Sequence, residues 1–326
     1  MDRIRTAIDG EALRSGGGAP RVAMLMTTFR HGAFVGEALR AALAQTWSAL
    51  DIVVSDDCSD DQTWSIVTDI AGRYTGPHRL VLMRHGQNGG AAKNLLAAME
   101  RTDAALLLLA HGDDISMPNR VQRVAETWIA TGASLISHQA ISGPDPAEAQ
   151  PFAAEGSRSG PVSLAALCRH SWTPHMLGAT FGFERRIFDE FGPFDRARLP
   201  RGGDHVLPTR AALLGGFYYL HEPLMFWRRH PGQMTHHTAD FAGGGLSHAE
   251  TWKAYDLNAL LYRLDEIRGF AGRHGSTPLL AQAERTLIAT IAKHVRDWSV
   301  ARGALESQGQ TLRFERRQQQ VQGAGA

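Results

Sequence analysis

The chain has 326 residues, 43% of them hydrophobic, enough to bury a large core in one domain or two closely packed ones. A formal net charge of +1, with no Lys/Arg stripe interleaved with aromatics, gives no reason to expect nucleic acid as the main partner. The two cysteines, Cys58 and Cys168, provide neither a disulfide framework nor metal-binding spacing, and no apolar run approaches the roughly 20 residues of a membrane-spanning helix.

Residues 1–20 carry scattered charges and the small run Ser15-Gly16-Gly17-Gly18-Ala19, and lack the apolar centre of a signal peptide, so they read as a flexible leader. Residues 22–26 form a short apolar strand ending at Thr27-Thr28-Phe29, and residues 33–45 carry helical spacing through Phe34, Ala38, Leu39, Ala42 and Leu43. A second strand over 51–55 closes in Asp56-Asp57-Cys58-Ser59-Asp60-Asp61, where Ser59 or Asp60 is placed to cap a helix running to about Arg73. The third strand, 80–84, leads through His85-Gly86-Gln87-Asn88-Gly89-Gly90 into a helix over 91–101. The fourth begins Leu106-Leu107-Leu108-Leu109 and stops abruptly at His111-Gly112-Asp113-Asp114, with a helix over about 118–130 and a fifth strand over 133–138.

Strands alternating with helices at this spacing imply βαβ units in a mostly parallel, Rossmann-like α/β sheet with helices on both faces. Thr27, Asp57, Asn88 and Asp113 then share one edge, because parallel strands point the same way. The bland reading makes Asp113 and Asp114 helix N-caps. Four polar loops meeting where open α/β sheets bind ligands weigh against it, and paired acids there suit a divalent cation held against a diphosphate.

Beyond this, residues 143–160 read as a loop or mobile flap, 163–169 as helix, 178–183 as extended and 187–191 as a helical turn. Arg201-Gly202-Gly203-Asp204-His205 leads into a helix over 206–214, and 217–220 and 224–227 read as two strands closed by Arg228-Arg229-His230-Pro231-Gly232. A long helical pattern starts near Leu246 and ends in Arg- and Gln-rich sequence from Arg313 that lacks an apolar stripe. The expected division is a leader (1–20), two halves of one α/β domain (21–139 and 140–235) and a helical extension with a disordered tail (236–326).

Over about 21–230 the chain resembles family 2 glycosyltransferases of the GT-A fold. The resemblance rests on the order and spacing of Met26-Thr27-Thr28-Phe29, Ala44-Gln45-Thr46-Trp47, Ser55-Asp56-Asp57-Cys58-Ser59-Asp60, Asn88-Gly89-Gly90-Ala91-Ala92-Lys93-Asn94, His111-Gly112-Asp113-Asp114, Gly203-Asp204 and Arg229-His230. It implies that Thr27, Phe29 and Asp57 face the nucleotide base, with Asp57 accepting from a uracil or thymine imide, and that Asn88 and Lys93 lie along the ribose and diphosphate. Asp113 would be the main ligand of Mg2+ or Mn2+, with Asp114 supporting the loop or the donor sugar; His230 is a candidate to assist at the metal or phosphate, though a His beside Arg228 and Arg229 reads first as a solvated or structural residue. Family members commonly carry Asp-x-Asp-Asp at this point, so His111 stands where the first acid is expected. A neutral imidazole there can hydrogen-bond a ribose hydroxyl or ligate Mn2+, but suits Mg2+ poorly.

Sugar transfer from a nucleotide diphosphate develops negative charge on the departing diphosphate, which a cation stabilises, and requires a base for the acceptor hydroxyl. The family places an acid at the head of a helix for that purpose, which points to Asp204, with the preceding glycines admitting a close acceptor; the bland reading is a cap on its helix, and Asp204 can serve as both. One base driving direct displacement inverts the anomeric centre. Trp172, His175 and Trp227 are candidates for the acceptor pocket, with buried core as their default, and His236 and His237 are too close together to argue a separate metal site.

The reading is an inverting transferase taking a UDP- or dTDP-sugar to a saccharide or other hydroxyl acceptor in surface or secreted polysaccharide assembly. It implies a cytoplasmic protein, soluble or peripheral at the inner face of the membrane, with dimerisation, acceptor cover and membrane contact all open to the C-terminal helices. A catalytically silent nucleotide-sugar scaffold or sensor is the binding-class alternative, supported by the missing first acid. A nucleotidyltransferase requires a Gly-rich basic loop after the first strand, of which Thr27-Thr28-Phe29-Arg30-His31 is a poor version. A dinucleotide-binding dehydrogenase requires a Gly-rich turn there that is absent.

Overall fold

The computed structural model describes residues 20–48, 50–152, 156–195, 198–199, 203–233 and 248–307. The chain divides into two compact units, 1–162 with 174–193 and 210–229, and 163–173 with 194–209 and 230–326.

In the first unit β1 (Val22–Thr28), α1 (Val35–Leu43), β2 (Leu50–Asp56), α2 (Thr63–Gly72), β3 (Arg79–Arg84), α3 (Ala91–Met99) and β4 (Leu106–His111) alternate as expected. There follow β5 (Ile115–Ser116), α4 (Arg120–Thr131), β6 (Leu135–Gly143), β7 (Gln150–Pro151) and β8 (Gly160–Val162). One sheet runs in the order β3-β2-β1-β4-β9-β6-β10-β5, where β9 is Gly182–Glu184 and β10 is Phe217–Arg228. Strands β3, β2, β1 and β4 are parallel, as are β6 and β10, while β9 lies antiparallel between β4 and β6.

The central strands are apolar on both faces, as strands covered on both sides must be. Val22, Met24 and Met26 of β1, Ile52 and Val54 of β2 and Leu106, Leu108 and Ala110 of β4 join a core with Val35, Ala38, Leu39 and Ala42 of α1 and Val121, Val124, Ala125 and Trp128 of α4. The intervening Ala23, Leu25, Val53, Leu107 and Leu109 are also buried. Helix α3, none of whose buried residues joins that cluster, packs on β1 and β2.

Four local expectations differ from the structure. The two strands expected over 217–227 are one strand, β10, with register shifts on either side of Pro223, which has no N–H for the ladder. Neither Ser59 nor Asp60 caps α2: Asp61 accepts from the backbone N–H of Thr63 at 2.9 Å, while Asp60 takes the Arg30 guanidinium. The 143–160 stretch is partly built into the sheet, with β7 on β6, β8 on β10 and a 3-10 turn capped by Asp145. The extended stretch over 178–183 opens as a 3-10 turn, Gly178–Thr180, before β9.

In chain order the remaining helices are α5 (Leu164–Cys168), α6 (Arg186–Phe191), α7 (Leu207–Leu214), α8 (His248–His274) and α9 (Pro278–Ser307). In the second unit α9 packs on α8 and α5. Arg263 of α8 is fully buried, donating to the Leu167 and His170 carbonyls and to Thr209 Oγ1, and burial draws its pKa down to about 10. Among the described residues no helix is long and apolar enough to cross a membrane. The expected leader, His236, His237 and the tail from 313 lie outside the described residues.

Candidate active site

The register of the parallel strands levels their carboxyl ends, pairing Thr27 with both Ser55 and His111, Thr28 with Asp56, and Asp56 with Arg84. Asp56 is fully buried and joins two loops. It accepts from Thr28 Oγ1 at 2.9 Å and from Ser59 Oγ at 2.6 Å, and Ser59 Oγ in turn accepts from the Arg30 N–H at 2.9 Å. Arg30 (φ 55°) and Cys58 (φ 62°) are the non-glycine residues in left-handed backbone among those described, and they flank this junction. Such conformations cost about 1–2 kcal/mol each and persist where the surroundings impose them.

Asp57, 2% exposed, accepts from the Gly89 N–H at 2.8 Å with one oxygen and from the Gly90 N–H at 2.7 Å with the other, so it clamps the loop after β3. Each oxygen retains a second lone pair. Asn88 and Lys93 of that segment are exposed, whereas Asn94 is buried and bonds Ser55 Oγ and, at 3.1 Å, the Ser55 carbonyl. Phe29 is half-buried, with the Arg30 guanidinium 5.1 Å from its ring centroid.

The acidic loop is held from two sides. Gly112 N–H donates to the Thr27 carbonyl at 3.0 Å, and His111 Nδ1 lies 3.0 Å from Thr27 Oγ1. Any side chain at Gly112 would bring its Cβ within 2.7 Å of both His31 Nδ1 and Thr28 Cγ2, so glycine is required by the close approach of the His31 ring. From β10, the Arg228 N–H donates to Asp114 Oδ1 at 3.0 Å and Arg228 Nε to the Asp113 carbonyl at 3.0 Å. The Arg228 guanidinium also pairs with Glu37 and lies 4.9 Å from the Phe34 ring. His31 Nε2 is 3.6 Å from Asp113 Oδ2. The helix-cap reading of the two acids fails, because α4 begins after Asn119 with no side-chain cap and β5 intervenes.

Electrostatics follow burial. Desolvation, and then the neighbouring Asp113 carboxylate, raise the Asp114 carboxyl well above its ordinary range. Desolvation lowers His111 despite the opposing pull of Asp113, which leaves a neutral imidazole near pH 7. Arg120, fully buried, donates to the Leu109 and Ala179 carbonyls, both at 2.7 Å, to Ser116 Oγ and to His138 Nε2, and burial draws its pKa down to about 10. It ties the end of β4 to β5 and β6.

In the second unit Asp204 is half-buried in the turn leading to α7, where the Val206 and Leu207 N–H groups donate to the Gly203 carbonyl. The space beside Gly203 is filled by the Phe194 ring, 2.1 Å from where a Cβ would stand, so the absence of a side chain there serves internal packing. His205 Nδ1 faces Asp256 Oδ1 at 3.6 Å. The His230 N–H donates to Gln233 Oε1 at 3.3 Å, and Trp172 is half-buried. In the first unit the His175 and Tyr219 rings meet in a tilted contact with centroids 4.3 Å apart, and Trp227 packs against Phe152 with Arg229 over its ring.

The first unit therefore brings Thr27, Asp57, His111, Asp113 and Asp114 to one sheet edge. Sequence reasoning missed His31, Asn94, Arg120 and Arg228. Only Arg120 left a clear signal, a cation on the same helix face as Val124 and Trp128. Among the described residues no group of three or more His, Cys, Asp or Glu side chains could hold a metal ion, so a closed resident metal site is not built here. A lone carboxylate with a near neighbour suits a cation whose remaining ligands come from phosphate and water.

Among curated proteins, the chain is 24% identical over 217 residues to an uncharacterized glycosyltransferase, alr2836, of Nostoc, covering 64% of this chain and 65% of that protein. It is 27% identical over 204 residues to the succinoglycan biosynthesis protein ExoO of Rhizobium meliloti, covering 60% and 57%. The matches thus span less than two thirds of either relative. Among solved structures, S. aureus TarS 1–349 in complex with UDP-GlcNAc superposes with a TM-score of 0.55 at 15% identity, covering 86% of this chain and 92% of that one. Mannosyltransferase PcManGT of Pyrobaculum calidifontis, in complex with GDP-Man and Mn2+, gives 0.51 at 18% identity, covering 86% and 88%. These neighbours identify the sheet and its helices as the GT-A fold. The model of glycosyl transferase family 2 matches residues 24–192, just over half of the chain, and the chain belongs to that family.

Proposed function

We propose that the chain is an inverting, metal-assisted glycosyltransferase that moves a sugar from a UDP- or dTDP-sugar to a saccharide or other hydroxyl acceptor in surface or secreted polysaccharide assembly. The observation that carries this reading is Asp113 at the same sheet edge as Thr27, Asp57 and His111, with its backbone carbonyl anchored by Arg228 and its carboxylate facing His31. The likeness to ExoO supports the pathway class, and the nucleotide-sugar complexes of TarS and PcManGT support a nucleotide-sugar donor.

Residues 21–139 receive the donor in this reading, and residues 140–235 supply the acceptor and catalytic side. Thr27, Phe29 and Asp57 hold the base. Asp57, its loop already fixed through Gly89 and Gly90, uses a remaining lone pair to accept from the imide. Asn88 and Lys93, both exposed, reach the ribose and diphosphate, and neutral His111 serves a ribose hydroxyl. Asp113 is the residue that would hold Mn2+ or Mg2+ against the diphosphate, with Asp114 supporting its loop, and the bound cation would supply charge neutralisation of the leaving group. Asp204 accepts the acceptor's proton, and a single displacement inverts the anomeric centre. In this reading the protein works in the cytoplasm, soluble or peripheral at the inner membrane face.

Calorimetric titration with UDP, dTDP and GDP, each with Mn2+, Mg2+ or chelator, tests the donor site. Metal-dependent binding of UDP or dTDP that is lost in Asp113→Ala is expected. Asp204→Asn should retain that binding and lose product formation. Failure of every nucleotide to bind overturns the reading in favour of a scaffold.

A further inference from the structure

His31 sits in the turn between β1 and α1. Its carbonyl accepts the N–H groups of Phe34 and Val35, both at 2.8 Å, so the residue is fixed at the head of α1. The preceding Arg30 is held in left-handed backbone by Ser59 Oγ at its N–H and by the Asp60 carboxylate at its guanidinium. The His31 ring is seated over Gly112 in space no other residue at 112 would leave, and its side chain is 17% exposed. Its Nε2 lies 3.6 Å from Asp113 Oδ2.

Two bonds of about 2.1 Å to one cation can span at most roughly 4.2 Å, so these two atoms are close enough to share an ion. His111 Nδ1 lies 3.0 Å from the Thr27 hydroxyl, and it is His31 whose ring nitrogen lies at ion-pair distance from the Asp113 carboxylate. We propose that His31 Nε2 and Asp113 Oδ2 together form a nitrogen–oxygen site for the divalent cation that accompanies a nucleoside diphosphate. The proposal rests on the donor-site reading above and adds to it a ligand and a metal preference. An imidazole in the ligand set favours Mn2+ over Mg2+, which prefers an all-oxygen shell. The imidazole ligand, one of two roles open to His111, is thereby supplied from the turn after β1.

The test is pulsed electron paramagnetic resonance of the full chain with Mn2+ and UDP. Wild type should show coupling to a directly bound 14N that converts to 15N in protein labelled with 15N-histidine. The coupling should vanish in His31→Ala and in His31→Asn, and persist in His111→Ala. The ratio of UDP affinities measured with Mn2+ and with Mg2+ should fall by at least about tenfold in the His31 variants. Labelling of unaltered protein keeps the test valid if a variant fails to fold. If Mn2+ and UDP bind in an Asp113-dependent way without nitrogen coupling, or the coupling survives at His31→Ala, the proposal is overturned and the donor site stands. If wild type binds no nucleotide with either metal, the donor-site reading fails and takes the proposal with it.

Discussion

Replacing Arg228 with methionine separates two ways in which one side chain could support the acidic loop. Methionine keeps most of the apolar stem but cannot donate. The bond from Nε to the Asp113 carbonyl, 3.0 Å long and buried, is charge-assisted and contributes about 1.5–3 kcal/mol. The cation–π contacts to Phe34 at 4.9 Å and Phe226 at 5.2 Å add about 0.5–1 kcal/mol each. The ion pair with Glu37 adds little, because the Glu37 side chain is 57% exposed and solvent screens it to about 0–1 kcal/mol. Arg228→Met should therefore cost about 3 kcal/mol in urea unfolding, and Glu37→Gln about 0.5 kcal/mol. The backbone N–H at 228 still holds Asp114, so the variant should fold while its Asp113 peptide loosens and affinity for UDP with Mn2+ falls by about tenfold. Equal losses in the two variants, or unchanged UDP affinity in Arg228→Met, would refute the assignment of the loop's anchorage to the carbonyl bond.

Gly112→Ala should destabilise by about 1–3 kcal/mol and weaken Mn2+ binding, because its Cβ meets His31 and Thr28 at 2.7 Å; wild-type melting and metal affinity would count against the packing argument. Asp57→Ala should release the Gly89 and Gly90 amides, read as at least tenfold faster hydrogen exchange at those two positions, with the amides of β2 unchanged as the internal control. Burial, reinforced by the Arg120 charge, lowers the His138 pKa well below its ordinary value. The unfolded state then binds the extra proton below about pH 6.5, so stability should be complete above that value and decline as pH falls toward the folded pKa. His138→Gln should flatten that decline in pH-dependent unfolding, and an unchanged slope would assign it to other groups.

The alternation of elements and the edge carrying Thr27, Asp57, Asn88 and Asp113 were legible because parallel βαβ units write themselves locally: an apolar run, a polar stop, then a helical stripe. What escaped is non-local. Strand β9 is only three residues long and is inserted antiparallel between β4 and β6, which no period in 182–184 announces. Asp57 reads as a ligand-facing acid in sequence, and the structure also makes it the anchor of two amides 32 and 33 residues away. Arg228 was visible only as one of a basic pair closing a strand, since its partners Asp113 and Glu37 lie 115 and 191 residues earlier.

The seam between Asp114 and Arg228 also sets an order of assembly. The pairings of β2 with β1 and β3 close short loops as the chain is made, whereas the acidic loop meets its anchor across 114 residues. Contacts that distant form late, after the loop-closure entropy has been met by the rest of the sheet. The loops after β2 and β3 thus take shape on a partly folded chain, but the carboxylates reach fixed positions only when β10 docks. Under the proposed function, cation and nucleotide binding would then be a property of the completed sheet, and a chain whose β10 has not docked would not sequester the donor.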